Sequence, residues 1–231
     1  GVPTQSRSIV ARVDAAFRAF VGDAGFPCLA AKGTVRRHDH QLGVYGSLGV
    51  DAASDALAAD LARFTGDLPH DGRLTAFVAV FTGRALASER AFERRLWTQL
   101  QRLHDRDEPA AGWDPSVSAD PDDPRFSFSF NGHALFVVGL YPRSARLARR
   151  FRWPALVFNP HAQFEQLRRD GRYERLREEI RERDIALQGT PNPNLADFGE
   201  TSEARQYSGR DTTSDEWRCP FHAHPKVTRD A

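Results

Sequence analysis

Cysteine and long hydrophobic runs are scarce in this 231-residue chain, and both scarcities narrow its class. The two cysteines, Cys28 and Cys219, are far apart and form no C-x-x-C pair. This spacing argues against a zinc knuckle or a disulfide-stabilised fold and favours a reducing compartment, so we expect a cytoplasmic protein. No apolar run approaches the ~20 residues that a membrane-spanning helix needs, so we predict no membrane insertion.

An excess of one charge is also absent. The chain has 32 basic and 31 acidic side chains, whereas a nucleic-acid-binding domain usually carries a clear basic surplus. We therefore predict no nucleic-acid partner. Hydrophobic residues make up 40% of the chain and charged residues 27%, as in ordinary globular proteins. We expect one domain over residues 1–231, with a polar tail from about residue 222.

The common catalytic signatures are missing as well. The chain has no P-loop, no G-x-G-x-x-G after a strand, no G-x-S-x-G and no H-E-x-x-H. The usual phosphate-binding, dinucleotide-binding, hydrolase and zinc-protease interpretations therefore have no support.

Apolar and alternating runs predict the strands of a sheet. They cover residues 74–81, 126–130, 133–140 and 155–158. Asn131 and Gly132 separate the second run from the third, and this pair supplies the two positive-φ residues of a tight hairpin turn. Helical periodicity is found at residues 7–21, 52–64, 88–104 and 144–151, and after residue 161. The predicted fold is α+β, a mainly antiparallel sheet of four or more strands packed with several helices.

Two segments are less regular. Residues 27–49 contain several glycines, and their pattern predicts a loop and a short strand. Within this segment His38 and His40 could bind a metal, but no third ligand has suitable spacing. We therefore interpret the two histidines as parts of a solvated turn. Residues 105–124 are rich in Asp, Pro and Ser and predict a long loop, which is either a lid or disordered.

A histidine stands at the junction between the last predicted strand and a helix. Asn159 is predicted to cap that helix and Pro160 to occupy its first position, so His161 would lie in the first turn. From there a ring nitrogen can reach a cofactor in an adjoining pocket. The alternative is a histidine that is exposed or structurally satisfied.

These features suit haem, which needs a nitrogen or sulfur ligand, an apolar slot and cations for its propionates. His161 and Cys219, each beside a proline, are the possible ligands. The segment 141–152 is rich in arginine and aromatic residues and offers cations.

Several separate motifs resemble the YqcI/YcgG family. In chain order they are V-G-L-Y-P at 138–142, R-R-F at 149–151, F-N-P-H-A-Q-F-E-Q-L-R at 158–168, N-P at 192–193, F-G-E-T-S-E-A-R-Q-Y-S-G at 198–209 and W-R-C-P-F at 217–221. Characterised members of that family are haem-dependent N-oxygenases of guanidines, among them the arginine N-hydroxylase of D-cycloserine biosynthesis. The resemblance implies haem b, dioxygen as co-substrate, an external electron donor and a guanidine substrate, with conversion of L-arginine to Nω-hydroxy-L-arginine as the expected reaction.

The resemblance also assigns residues to the cofactor. His161 matches the family's histidine and is the expected iron ligand, with Phe158 beside it in the same motif. Cys219 is the rival, because a thiolate ligand favours O–O cleavage. Its alternative role is a small buried thiol packed beside Trp217 and Phe221.

Charged residues are assigned to the substrate and to the propionates. Glu200 and Glu203 are expected to pair with the guanidinium, because a carboxylate can bind it through two parallel hydrogen bonds. Arg149, Arg150 and Arg205 are expected to bind the propionates. In the alternative interpretation these acids are caps or ion-pair partners and these arginines form a solvated face.

Two other classes of protein remain open on the sequence alone. A haem carrier or gas sensor would keep the iron ligand and the pocket but would lack a substrate carboxylate. A haem-free binding protein would use the same pocket for another small ligand.

Overall fold

A five-stranded sheet lies at the centre of the computed structural model, which describes residues 4–69, 71–107 and 111–224. The strands are β1 His40–Tyr45, β2 Ala76–Phe81, β3 Phe128–Phe130, β4 His133–Leu140 and β5 Ala155–Pro160. Their spatial order is β1-β2-β5-β4-β3. β1 and β2 are parallel, and the other three neighbouring pairs are antiparallel. This mixed, mostly antiparallel sheet confirms the predicted α+β fold.

Helices cover both faces of the sheet. They are α1 Thr4–Gly22, α2 Leu29–Arg36, α3 Asp51–Gly66, α4 Glu89–Arg106, α5 His161–Arg169, α6 Tyr173–Gln188 and α7 Ala204–Tyr207. Within the described ranges, none of them is both long and apolar enough to span a bilayer. Of the predicted polar tail, residues 225–231 lie outside the described residues.

The tight hairpin between β3 and β4 is confirmed. Asn131 and Gly132 have φ values of 51° and 74°, as a turn of this type requires. The predicted helix over residues 144–151 is wrong, because only the 3₁₀ turn Leu147–Arg149 forms. Backbone N–H groups there bond to distant side chains instead, at 2.7 Å from Ala145 to Glu89 Oε1 and at 2.8 Å from Leu147 to Gln188 Oε1.

One side of the sheet, which we call the packed face, is filled with side chains. Alternate residues of β2, β4 and β5 on this side pack against the apolar stripes of α3 and α4. The approach is close at Gly139, where a Cβ would lie 2.7 Å from Tyr207 O and 2.9 Å from the side chains of Leu96 and Phe92. Glycine is therefore required for α4 and α7 to pack this tightly on β4.

The other side, which we call the cavity face, carries the intervening strand residues. Val78, Val80, Leu140 and Ala155 pack there against α1 and α2. Near the start of β2 and the end of β5, the helices do not pack directly on the sheet. The space between them and the sheet is the cavity described next.

Candidate functional site

A cavity of about 350 Å³ lies between the cavity face of the sheet and helices α1, α2, α5 and α6. Its wall is mainly apolar. The apolar side chains include Phe17, Phe20, Val78, Phe136, Val138, Leu140, Val157, Phe164, Leu176, Ile180 and Phe198. A small number of polar and charged groups interrupts this surface, which is the usual composition of a small-molecule site.

His161 is one of these polar groups. It opens α5 directly after β5, and its side chain is 4% exposed. Nε2 lies 3.4 Å from Glu165 Oε1, and Nδ1 lies 3.7 Å from Glu203 Oε1, beyond hydrogen-bonding distance. The ring meets Phe198 edge-on, with centroids 4.5 Å apart. Burial lowers the pKa of His161, so the imidazole is neutral at neutral pH.

The predicted cap of this helix is wrong. Pro160, rather than Asn159, is the N-cap residue, and α5 has no side-chain cap. Asn159 belongs to β5, and its amide donates to the carbonyls of Phe136 and Val157 at 3.2 and 3.3 Å. His161 nevertheless lies in the first helical turn, as expected.

Glu203 is the cavity-lining carboxyl group beside His161, whereas Glu165, which is closer to the ring, is not among the lining residues. Glu203 is 5% exposed, and Tyr207 Oη donates to its Oε2 at 3.4 Å. Burial raises the pKa of Glu203 to about 7. Two other carboxylates line the cavity, but Asp184 is paired with Arg146 and Asp197 with Arg177. Among the described residues, Glu203 has no arginine partner.

The expected propionate-binding arginines lie in different places. Arg149 lines the cavity, but its guanidinium donates to the carbonyls of Gly139, Gln206 and Tyr207 at 3.0 to 3.2 Å. Burial lowers its pKa to about 10. Arg150 and Arg205 are not among the lining residues, since Arg150 Nε bonds to Ser144 O at 2.6 Å and Arg205 bonds to Thr212 O.

Three further expected site residues lie away from the cavity. Glu200 is exposed and its Oε2 accepts the Asp197 N–H at 2.9 Å. Phe158 is fully buried on the packed face, because its β5 neighbours Val157 and Asn159 occupy the cavity face. Cys219 is buried in the same apolar cluster as Phe158, and burial raises its pKa to about 12. Its thiol is therefore protonated at neutral pH and lies outside the cavity.

Sequence reasoning missed the arginines of α6. Arg177 and Arg181 line the cavity from α6, a helix rich in charged residues to which no role was assigned from the sequence. Their spacing is the sequence signal that could have identified these arginines. It places them, at intervals of three and four residues, on the same side of α6 as its apolar residues. Those residues are Tyr173, Leu176 and Ile180, all of which line the cavity.

His40 was also misassigned, because it is not in a solvated turn. Its side chain is 4% exposed and lines the cavity from β1. Nε2 lies 2.7 Å from Asp14 Oδ1, and within the described ranges Nδ1 has no hydrogen-bond partner. The parallel pairing of His40 with Ala76 turns its side chain to the cavity face. The sequence around His40 gives no sign of this pairing, because β1 pairs with a strand that begins 36 residues later in the chain.

A metal held by three or more side chains has no support in the part of the chain that is described, which contains no group of three His, Cys, Asp or Glu residues suited to one. A cofactor that brings its own equatorial ligands needs only one protein donor. His161 and His40 are the two histidines that line the cavity.

Comparison with known proteins identifies the family of this chain. The YqcI/YcgG family model matches residues 17–222. Two Bacillus subtilis (strain 168) relatives, each described as an uncharacterized protein, are similar over 85% of this chain and 80% of their own length. They are YcgG at 29% identity over 206 residues and YqcI at 26% over 205 residues. No solved structure shows a significant match. The match to the family model covers most of the chain, which therefore belongs to the YqcI/YcgG family.

Proposed function

We propose that this protein is a haem-dependent monooxygenase that hydroxylates a guanidine nitrogen, with L-arginine as the first substrate to test. The observation that carries the proposal is Glu203, a buried carboxyl without an arginine partner among the described residues. It lies beside the neutral His161 in a mainly apolar cavity.

The residues fit a haem group in three respects. His161 offers a buried imidazole whose Nδ1 has no hydrogen bond within the described ranges, so one ring nitrogen is available as a ligand. The cavity wall is mainly apolar, and arginines line part of it. When bound, haem would supply the activation of dioxygen and the transfer of one oxygen atom, with two electrons from an external donor and release of water.

The cavity volume of about 350 Å³ is at the low end of the range of small-molecule sites. A macrocycle therefore requires part of the wall to yield. Helix α6 is the wall element suited to this, because none of its residues is buried. Its outward displacement therefore costs little core packing and breaks mainly polar contacts, such as Asp184 with Arg146 and Arg177 with Asp197.

The substrate argument rests on charge. A guanidinium is a planar cation with five N–H donors and no acceptor, so a buried site must offer it a carboxylate. Asp184 and Asp197 are already paired with arginines. Glu203 is therefore the lining carboxyl that has no arginine partner among the described residues. Because the pKa of Glu203 is raised to about 7, guanidinium binding will favour its ionised form and release a proton near neutral pH.

Glu203 has a second possible role, since it lies near the His161 ring. A carboxylate beside the non-ligating nitrogen of an iron-bound histidine accepts its N–H and fixes the ring. Nδ1 lies 3.7 Å from Glu203 Oε1, so it would donate to Glu203 after a small shift. In that case Nε2, rather than Nδ1, would be the nitrogen that ligates the iron. The two roles predict different losses when Glu203 is replaced.

The first experiment is an absorption spectrum of protein expressed with a haem precursor, recorded oxidised and then reduced with carbon monoxide. A haem band with nitrogen ligation is expected in the wild type. It should be lost or strongly shifted in His161→Ala and retained in His133→Ala, an exposed control on β4. If His40→Ala loses the band instead, the ligand is His40. Absence of haem from wild-type protein contradicts the proposal.

The second experiment titrates L-arginine into the haem-loaded protein. Glu203→Gln should retain haem but lose the arginine response, while Glu200→Gln, at an exposed position, should behave as the wild type. A changed haem spectrum with unchanged arginine affinity would assign Glu203 to ring orientation. Haem binding without arginine binding or hydroxylated product would indicate a haem carrier or gas sensor.

A further inference from the structure

We infer that Arg181 and Arg177 of α6 form a carboxylate-binding site at the edge of the cavity. The ligand's carboxylate comes either from the haem propionates or from the α-carboxylate of an amino-acid substrate, and in this respect the inference rests on the proposed function. The proposed function above gives neither arginine a role.

The hydrogen-bond partners of the lining arginines support this site. Five arginines line the cavity, and the guanidinium groups of three of them already contact other groups of the protein. Arg146 pairs with Asp184 and donates to two carbonyls, and Arg149 donates to three carbonyls. Arg168 pairs with Glu165 and lies over the Tyr173 ring at 4.1 Å. These three guanidinium groups have little capacity for a ligand.

Arg181 differs from them. Its guanidinium makes no hydrogen bond to the described residues, and its one ionic contact there is with Asp197 Oδ1 at 3.8 Å. The side chain is 31% exposed, so it is partly removed from water. A half-buried cation with unused donors in a cavity wall is suited to an anionic ligand.

Arg177 adds a second cation to the same place. It pairs with Oδ2 of Asp197, and its own Nε is buried without a partner in the described part of the chain. Two guanidinium groups therefore share one carboxylate, which leaves an excess of one positive charge at this edge. The other buried pair on α6, Asp184 with Arg146, is balanced.

Helical spacing puts the two arginines within reach of one ligand. Residues four apart on a helix have Cβ atoms roughly 5–6 Å apart on the same face. Two guanidinium forks at that separation can bind the two oxygens of one carboxylate or one carboxylate each. This geometry suits either a single α-carboxylate or the paired propionates at one edge of a macrocycle.

The first arm of the test compares haem with its dimethyl ester, in which both propionates are uncharged. Equilibrium titrations would use wild-type protein, Arg181→Ala, Arg177→Ala and the control Arg175→Ala, which is exposed on the same helix. If the propionates are the ligand, the two cavity-side variants should weaken haem binding about tenfold to a hundredfold and leave ester binding unchanged.

The second arm compares L-arginine with agmatine, its analogue without the α-carboxylate, by calorimetry on haem-free and haem-loaded protein. If the α-carboxylate is the ligand, wild type should prefer L-arginine about tenfold or more, and Arg181→Ala should lose that preference. Arg181→Lys, which keeps the charge but not the planar fork, should retain part of it.

Loss of carboxylate discrimination in either arm supports the site and identifies its ligand. Unchanged discrimination in both arms, with all variants retaining the wild-type melting temperature, overturns it. If the wild type binds no haem, the proposed function fails while the calorimetric arm still tests the arginine pair.

Discussion

The two faces of the sheet differ in what their side chains do. The packed face carries fully buried aromatic and aliphatic residues against α3 and α4, and at Gly139 even a methyl group would not fit. The cavity face carries a void of about 350 Å³, two buried histidines and the polar α6. Of two adjacent residues on one strand, one therefore packs in the core and the other faces the cavity side. Dense packing on one side provides the stability that allows the other side to stay open.

The largest effect is expected from matched phenylalanine substitutions on the two sides. Phe158→Ala removes a fully buried ring from the packed face and should cost about 3–5 kcal/mol of unfolding free energy. Phe164→Ala removes a partly exposed ring from the cavity wall and should cost about 1 kcal/mol. Denaturant unfolding of both variants measures the difference. Equal costs would show that the cavity wall is as tightly packed as the opposite face.

The next effect is the pH dependence introduced by Glu203. Its carboxyl has an ordinary pKa of 4.5 and a folded-state pKa of about 7, so folding favours the protonated form. The stability that this proton contributes is fully present below the unfolded pKa and is lost as the pH rises through about 7. The difference of about 2.5 units corresponds to about 3 kcal/mol.

Glu203→Gln should remove that dependence, because the amide does not titrate. Unfolding free energies of wild type and variant measured from pH 4 to pH 8 would show the wild type losing stability relative to the variant across this range. The exposed Glu200→Gln serves as the control. Parallel curves for wild type and Glu203→Gln would mean that Glu203 is solvated in solution.

Features that depend on neighbouring residues in the chain were predictable from the sequence. The hairpin was predictable because Asn131 and Gly132 determine the turn locally, and the runs at β2, β4 and β5 were apolar enough to be recognised. The position of His161 at a strand-to-helix junction was also local. Each of these features depends on neighbours in the chain.

The remaining site residues depend on tertiary pairing. Phe158 was expected at the cofactor, yet which face it occupies is decided by the register of β5 with β2 and β4, which periodicity alone does not supply. His40 reaches the cavity only because β1 pairs with β2 across 36 residues of chain. Arg177 and Arg181 resemble any solvated helical charges until α6 is placed over the opening.

A smaller effect is expected at the pair between Asp14 and His40. Asp14→Ala removes the acceptor 2.7 Å from His40 Nε2 and leaves a buried imidazole with an unpaired N–H. The variant should lose about 1–2 kcal/mol of unfolding free energy, because a buried donor is left without its acceptor. Arg12→Ala, at an exposed position of α1, is the control. A wild-type melting curve for Asp14→Ala would show that His40 is satisfied by water.

The smallest free-energy cost is expected for the local opening of α6, one of two arginine-rich helices in the fold. Both α4 and α6 offer trypsin several cleavage sites, but α4 buries Phe92, Leu96, Leu100 and Leu103 on the packed face, whereas α6 buries none of its residues. Opening of α6 should therefore cost a small fraction of the global unfolding free energy, and opening of α4 should cost nearly all of it. Mass spectrometry of early tryptic fragments should show cuts within α6 well before cuts within α4. A ligand that fills the cavity contacts α6 alone of the two, so it should slow the α6 cuts without changing the others. Early cleavage in α4, or cleavage of α6 that no ligand slows, would remove the distinction between a rigid face and an adaptable one.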